Sequence, residues 1–327
     1  MKHWSARQIA ELRRLRAGFL AGTAGDADYW RSEEELALYD VTFGERIGWK
    51  WDAVLREITA RGWRPRSARV FDWGCGSGVA GRRVLAAWPH FDALALHDRS
   101  PLARSFARAK ARAVFPGVVT ESGDAPPAGA LLLVSHVISE LGAAQLSVLL
   151  DLASHAREII WVEAGTHADS RRLCEARDSL LARGFAAVAP CTHSARCGML
   201  VRENARHWCH HFAAPPAEVF QDARWAEFGR ELGIDLRSLP YSFIVLARES
   251  AAQSSGFSRV IGEPREAKGY TRVLSCQETG VCEFMLQKRD APQLFRALRK
   301  GAAQPIYRWE IKGGRIVAGS LIPSQPT

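Results

Sequence analysis

The chain has 327 residues, of which 47% are hydrophobic and 24% charged, with a formal net charge of +9. This is the composition of a soluble globular protein with room for one large domain or two modest ones. It contains no run of 18 apolar residues, so no membrane span is expected. Residues 1 to 20 lack the apolar core of an export signal, so a bacterial cytoplasmic location is expected. Seven cysteines in such a chain argue against a disulfide framework and towards metal or redox chemistry. Only 7 of the 44 basic residues are lysine. A basic surface suits RNA, whose phosphates supply much of the affinity, while the arginine and alanine bias of a GC-rich genome is the competing source of the charge.

Residues 1–66 read as helical. Ser5 and Gln8 have capping-box spacing ahead of Ile9, Leu12, Leu15 and Phe19 on one face. Gly22 to Asp26 is a break. Ser32 and Glu35 cap a second helix with Leu36, Tyr39 and Phe43, and a third carries Trp51, Val54, Leu55 and Ile58 and ends near Gly62. Pro65 marks entry to a region, 67–250, in which strands and helices alternate as in a parallel sheet.

The first strand ends in Val70-Phe71-Asp72, and glycines follow at 74, 76 and 78. Glycine permits positive φ in a sharp turn and lets backbone approach a ligand. A helical pattern through Val79, Val84, Leu85 and Trp88 completes a strand–turn–helix unit with its ligand site at the strand ends. The spacing is D-x-G-x-G-x-G, not the G-x-G-x-x-G of nicotinamide and flavin proteins. It resembles the first motif of S-adenosylmethionine (SAM) methyltransferases. The second strand, Ala93 to Leu96, ends at His97-Asp98, and Asp98 is placed to accept from two ribose hydroxyls. Ser100-Pro101 starts a helix. A third strand near Val118-Val119 leads to Gly123-Asp124, a fourth, Ala130 to Val134, to Ser135-His136, and a fifth, Ile159 to Val162, to Glu163. The expected SAM contacts are Asp72, Gly74, Cys75, Gly76, Gly78, Asp98, Asp124 and Ser135.

A helix over Ala168 to Ala182 leads into a loop-like, cysteine-rich insert, 187–213. A helix near Val219 to Leu232 and an apolar strand, Tyr241 to Ala247, follow, the latter expected as the last, antiparallel member of the sheet. Ala251 to Ser255 reads as a linker. Residues 256–320 carry strand-like stretches at Ser258 to Ile261, Thr271 to Ser275, Val281 to Leu286 and Arg308 to Ile311, a small β domain or barrel.

Cys191, Cys197 and Cys209 fall in the insert, and a closed four-thiolate site needs a fourth ligand, from Cys276 or Cys282. Spacing leaves zinc and iron–sulfur both open. Cys75 and Cys174 read as structural.

Beyond the glycine motif, three further stretches carry a family resemblance: Ser135 to Leu141, Val162 to Thr166, and Ala189-Pro190-Cys191 through Cys197 to Trp208-Cys209-His210. With Lys268-Gly269-Tyr270 to Leu274-Ser275-Cys276, they make the chain similar to the ribosomal small-subunit methyltransferase-like family, which comprises mitochondrial small-subunit assembly proteins and their bacterial homologues. The resemblance implies SAM binding, association with the small ribosomal subunit or its rRNA, and a four-iron, four-sulfur cluster on Cys191, Cys197, Cys209 and Cys276. Gly198-Met199 departs from the family, standing where a proline-containing turn is more usual.

The expected fold is therefore α/β: a doubly wound sheet of SAM-methyltransferase type with an N-terminal helical region, the insert and a small C-terminal β domain. Whether the chain methylates stays open. Ser135-His136-Val137-Ile138 replaces the Asn/Asp-Pro-Pro-aromatic turn of exocyclic-amine enzymes. Ser135 and His136 are the candidates at the acceptor position, with His136 as proton acceptor, RNA contact or pocket wall. The alternative reading is a zinc-stapled RNA-binding module with a vestigial SAM pocket. The oligomeric state is not legible.

Overall fold

The structure is a computed structural model that describes residues 3–21, 30–249, 256–299 and 306–321. The break at Gly22 to Asp26 and the linker at Ala251 to Ser255 lie outside the described residues. The chain divides into two compact units: Met1–Glu57, Pro65–Glu163 and Phe212–Tyr241 form one, and Ile58–Arg64, Ala164–His211 and Ser242–Thr327 the other.

The first unit opens with α1 (Ala6–Ala21), α2 (Glu33–Tyr39) and α3 (Glu45–Ala60). The capping box forms: Ser5 N donates to Gln8 Oε1 and Gln8 N to Ser5 Oγ. Ser32 Oγ accepts from Glu35 N at the start of α2. Between α2 and α3 the chain widens into a π-helical turn, Asp40–Gly44, of the kind that often marks a functional site. The apolar stripes of α1 and α2 pack on α5 (Pro101–Val114) and α8 (Ala223–Leu232): Leu15 and Leu36, with Trp30 ahead of α2, meet Ala103 and Phe106, while Leu12 and Leu38 meet Phe228 and Leu232.

The sheet of this unit runs in the order β3 (Val119–Ser122), β2 (Ala93–His97), β1 (Arg69–Trp73), β4 (Leu131–Ser135), β5 (Glu158–Ala164), all pairs parallel. This is the strand order of a doubly wound sheet, and the order reverses between β1 and β4, where such sheets bind their ligands. Strands covered on both faces read as continuous apolar runs, as Leu131 to Val134 and Ile159 to Val162 do; all are buried. The fold is thus of SAM-methyltransferase type. α4 (Val79–Ala87), which follows β1, starts from Gly78 in the left-handed region, and Ser100 Oγ caps α5 by accepting from Ala103 N.

In the second unit, α7 (His167–Ala182) is followed by β6 (Ala186–Ala189), which pairs antiparallel with β8 (Leu239–Ala247). The stretch expected as loop contains short 3-10 turns at Gly198–Leu200 and Arg202–Asn204 and reaches β7 (His211–Ala213). The C-terminal part is a barrel of β9 (Ser258–Val260), β11 (Tyr270–Gln277), β12 (Gly280–Gln287), β13 (Ile306–Lys312) and β14 (Arg315–Leu321), with α9 (Pro292–Arg299) between β12 and β13. The ring closes because β9 pairs with both β11 and β13, and β10 (Arg265–Ala267) extends β11. β12 and β14 are parallel, and the other pairs antiparallel. Val260, Val273, Phe284, Leu286, Tyr307 and Ile316 fill the interior with Phe295 and Leu298 of α9. No helix of the described residues is long and apolar enough to cross a membrane.

Candidate functional site

In the first unit, the turn after β1 has Gly74, Gly76 and Gly78 all at positive φ, +68°, +51° and +76°. A Cβ on Gly74 would meet Val137 at 2.7 Å and one on Gly78 would meet Ala107 at 2.8 Å, whereas at Gly76 nothing lies within 4 Å. Gly76 is therefore glycine for its backbone, and the space beside it is open. Asp98 at the end of β2 braces the turn: Oδ2 accepts from Gly76 N at 2.9 Å and Oδ1 from Ser100 N at 2.9 Å. Burial raises its pKa against these two amides. Each of its oxygens retains a second acceptor direction, which is what a ribose diol needs. Asp72 is wholly buried, with Oδ2 on Gly81 N at 3.0 Å. Cys75 N donates to His97 O, and burial lifts its thiol well above the ordinary range, so it serves by backbone and packing. Asp124, beyond β3, is exposed and lies 3.5 Å from His97 Nδ1 and 3.7 Å from Arg104.

Ser135 and His136 end β4. His136 is the sole non-glycine residue at positive φ (+55°) among the described residues, a strained conformation of the sort retained at ligand sites. Its Nε2 faces Lys50 Nζ at 3.0 Å and its Nδ1 faces Ser135 Oγ at 3.4 Å. An ammonium can only donate, so Nε2 accepts and the proton is assigned to Nδ1. Burial, with Lys50 and Arg46, pushes its pKa well down. Trp51 Nε1 donates to Ser135 Oγ at 2.9 Å. The ring is thus neutral, with its acceptor nitrogen engaged by Lys50.

Several supports are not evident from the sequence. Glu163, wholly buried, accepts from Trp161 Nε1 and from the backbone amides of Val137 and Ile138, fixing the turn after β4. Arg82 joins Asp40 of the π turn to Ser77 O of the glycine turn. Glu140 has its pKa raised to about 7, chiefly by burial. Tyr39 is pushed up by burial and by Glu140, Asp40 and Asp98.

In the second unit, Cys174, Cys197, Cys209 and Cys276 pack in one cluster with Met199, Ile261 and Val281. Cys191 acts electrostatically on Cys209 and Cys276. Cys282 is exposed. Each expected ligand sulfur is faced by a nitrogen: Cys191 by Arg177 Nε at 3.1 Å, Cys209 by His211 Nε2 at 3.8 Å, Cys276 by His193 Nε2 at 3.6 Å, and Cys197 by the Met199 amide. His211 Nδ1 meets Arg259 Nη2 at 3.2 Å, so Nδ1 accepts and Nε2–H is aimed at sulfur. Cys197 is pushed down to about 7, first by the Cys174 thiol and then by the Met199 amide and Arg177, against burial. Burial and the neighbouring thiolates raise Cys209 and Cys276. Among the described residues, no group of three or more His, Cys, Asp or Glu side chains is arranged to hold one metal ion.

α7 organises this loop. Arg177 is fully buried, and donates to Ala195 O and His193 O as well as to Cys191. Asp178 accepts from Cys197 N, and Arg171 donates to Met199 O and His207 O. A Cβ on Gly198 would meet Val281 N at 2.7 Å and the Gly280 backbone at 2.9 Å, so glycine is what lets the loop close on β12. Leu274 lies on the outer face of β11 and packs in the cysteine cluster, not in the barrel interior, which Val273 faces.

A family model described as "Mitochondrial small ribosomal subunit Rsm22" matches residues 50–303. The chain belongs to the Rsm22 family. No curated protein sequence matches it. Among solved structures it is similar to magnesium protoporphyrin IX methyltransferase from Synechocystis, crystallised with SAH, at 15% identity and TM-score 0.39, covering 74% of this chain and 100% of that one. It is also similar to precorrin-6y C5,15-methyltransferase from Geobacter metallireducens, at 14% identity and TM-score 0.36, covering 61% and 87%. The match to the Rsm22 model takes in the glycine turn, β4 and all four expected ligand cysteines.

Proposed function

We propose that this Rsm22-family protein binds SAM at the glycine turn, carries a four-iron, four-sulfur cluster on Cys191, Cys197, Cys209 and Cys276, and acts on the small ribosomal subunit through its rRNA. The observation that carries the SAM reading is the left-handed glycine turn at the switch point, braced by Asp98 and open beside Gly76. Gly74, Gly76, Gly78 and Asp98 would hold the cofactor, which supplies an activated methyl group. The rest is positioning: Trp51, Ser135 and Lys50 hold the His136 ring, and Glu163 holds the backbone beneath it.

For the cluster, the support is the chemistry of the donor set. N–H groups at sulfur favour the thiolate and tune such centres. The ribosomal partner follows from the family, and the net charge of +9 is suited to rRNA.

Anaerobically purified protein should contain about four iron and four sulfide per chain and bind SAM in calorimetry. Methyl transfer to small-subunit RNA in particles from a deletion strain would establish catalysis. Stoichiometric zinc with no iron would overturn the cluster, and absence of SAM binding would overturn the pocket.

A further inference from the structure

The barrel has a topology with its own meaning. Taking β9, β11, β12, β13 and β14 as first to fifth, the ring runs first–second–third–fifth–fourth and back to first. The third and fifth strands are parallel, and the helix lies between third and fourth. This is the arrangement of the OB fold, which binds oligonucleotides on the face of its second and third strands and the adjoining loops.

Where the loop between the first and second strands meets the end of the third lies an open groove of about 650 Å³, lined by Lys268, Tyr270, Gln287, Lys288 and Arg289, among others. Lys268 belongs to the loop between the first and second strands, and Lys288 and Arg289 follow the third. Lys288 N donates to Gly269 O at 3.1 Å, which holds the two cationic ends side by side. Arg265 and Arg272, on the neighbouring surface, are both engaged by Glu283, and Arg289 lies 3.8 Å from Asp290. Lys268 and Lys288 have no ion-pair partner among the described residues and are exposed. Genome-wide arginine bias does not explain them: four of the chain's seven lysines fall within residues 256–321.

We infer that this groove is a binding site for single-stranded RNA, with Lys268, Lys288 and Arg289 on phosphates and Tyr270 under a base. Base stacking on an aromatic ring in a cationic groove is the general means of single-strand recognition. The inference rests on the proposed association with rRNA and gives it a surface.

The test uses the full chain and a fluorescent polyuridine single strand of about 12 nucleotides, within the span of one OB fold. Tyr270→Ala should weaken binding about 5- to 150-fold, and Tyr270→Phe, which keeps the ring, should not. Lys268→Ala with Lys288→Ala should lower the salt slope by about 1.4, the value for two phosphates on a single strand. Lys268 and Lys288 are exposed and Tyr270 is half-buried, and unaltered thermal denaturation would confirm intact folding of each variant. Wild-type affinity in both Tyr270→Ala and the double lysine variant would overturn this site and leave the ribosomal reading standing. Preference for duplex over single strand would also overturn it. No binding of any RNA by the wild type at low salt would bring down both.

Discussion

Asp72 permits a quantitative test of how the glycine turn is supported. Its carboxyl is wholly buried, with Oδ2 on Gly81 N, and Oδ1 has no hydrogen-bond partner among the described residues. Burial raises its pKa to about 7; the Gly81 amide and Arg82 oppose this and Asp98 adds to it. In the unfolded chain an aspartate titrates near about 4. Between these values the folded protein holds a proton that the unfolded chain has released. Stability from this group is therefore full below the unfolded pKa and is lost as pH rises to about 7. From about pH 5 to pH 8 the loss is roughly 2–3 kcal/mol. Asp72→Asn keeps an acceptor for Gly81 N but cannot ionise. Urea unfolding followed by tryptophan fluorescence, on both proteins at both pH values, removes every other titrating group by difference. The variant should gain about 2–3 kcal/mol on the wild type between the two conditions. Parallel pH dependence of the two proteins would refute a buried, proton-holding Asp72.

Gly76→Ala puts a side chain into open space at φ +51°, so it should cost about 1–2 kcal/mol from backbone conformation alone and weaken SAM binding; unchanged affinity in calorimetry would count against the turn as a binding element. Asp98→Ala removes the brace on Gly76 N and the ribose acceptor together, and SAM affinity should fall by about 1–3 kcal/mol. His136→Gly should be more stable than His136→Ala by about 1 kcal/mol, because glycine accepts the positive φ; equal thermal stabilities would contradict the strain. Cys276→Ser should lose iron and sulfide, whereas Cys282→Ser should retain both; full iron content in Cys276→Ser would remove Cys276 from the ligand set.

The parallel strands were legible because strands covered on both faces carry continuous apolar runs, and the glycine turn because its spacing has a conformational cause. The Ser5–Gln8 cap was legible for the same reason: it is local. The π turn at Asp40–Gly44 was not, since no local period marks it and Asp40 pairs with Arg82, far along the chain. β14 and the closure of the barrel through β9 depend on long-range pairing that no local period records. The cysteine stretch read as loop because its order comes from α7. One signal was present: Arg177 interrupts the buried stripe of Ser170, Leu173, Cys174 and Leu180. A charge in such a stripe asks for a buried partner, and here it finds the loop carbonyls and Cys191. Alternation along β11 puts Val273 in the barrel interior and Leu274 on the opposite face, but no local period tells which neighbouring core that second face meets.

The two candidate sites rest on different kinds of specification. The glycine turn is specified by backbone: φ values, amides on Asp98, and an open volume at Gly76. The thiol set is specified by side-chain charge. Arg177 is buried, and although burial works against its charge, Cys191 and Cys197 and then Asp178 hold it firmly protonated. Neutral thiols would leave that guanidinium with one anionic neighbour, the Asp178 carboxylate. Thiolates bound to a cluster would give it the anionic neighbour that a buried cation requires. The same charge logic reaches the barrel along β11, whose outer face carries Tyr270, Arg272, Leu274 and Cys276 in alternation. Cys276 at one end would be held by the cluster, and Tyr270 at the other would face the RNA. With 66 residues between Cys209 and Cys276, a bound cluster would contribute to folding by closing that loop. It would hold the strand on which the proposed RNA contact stands.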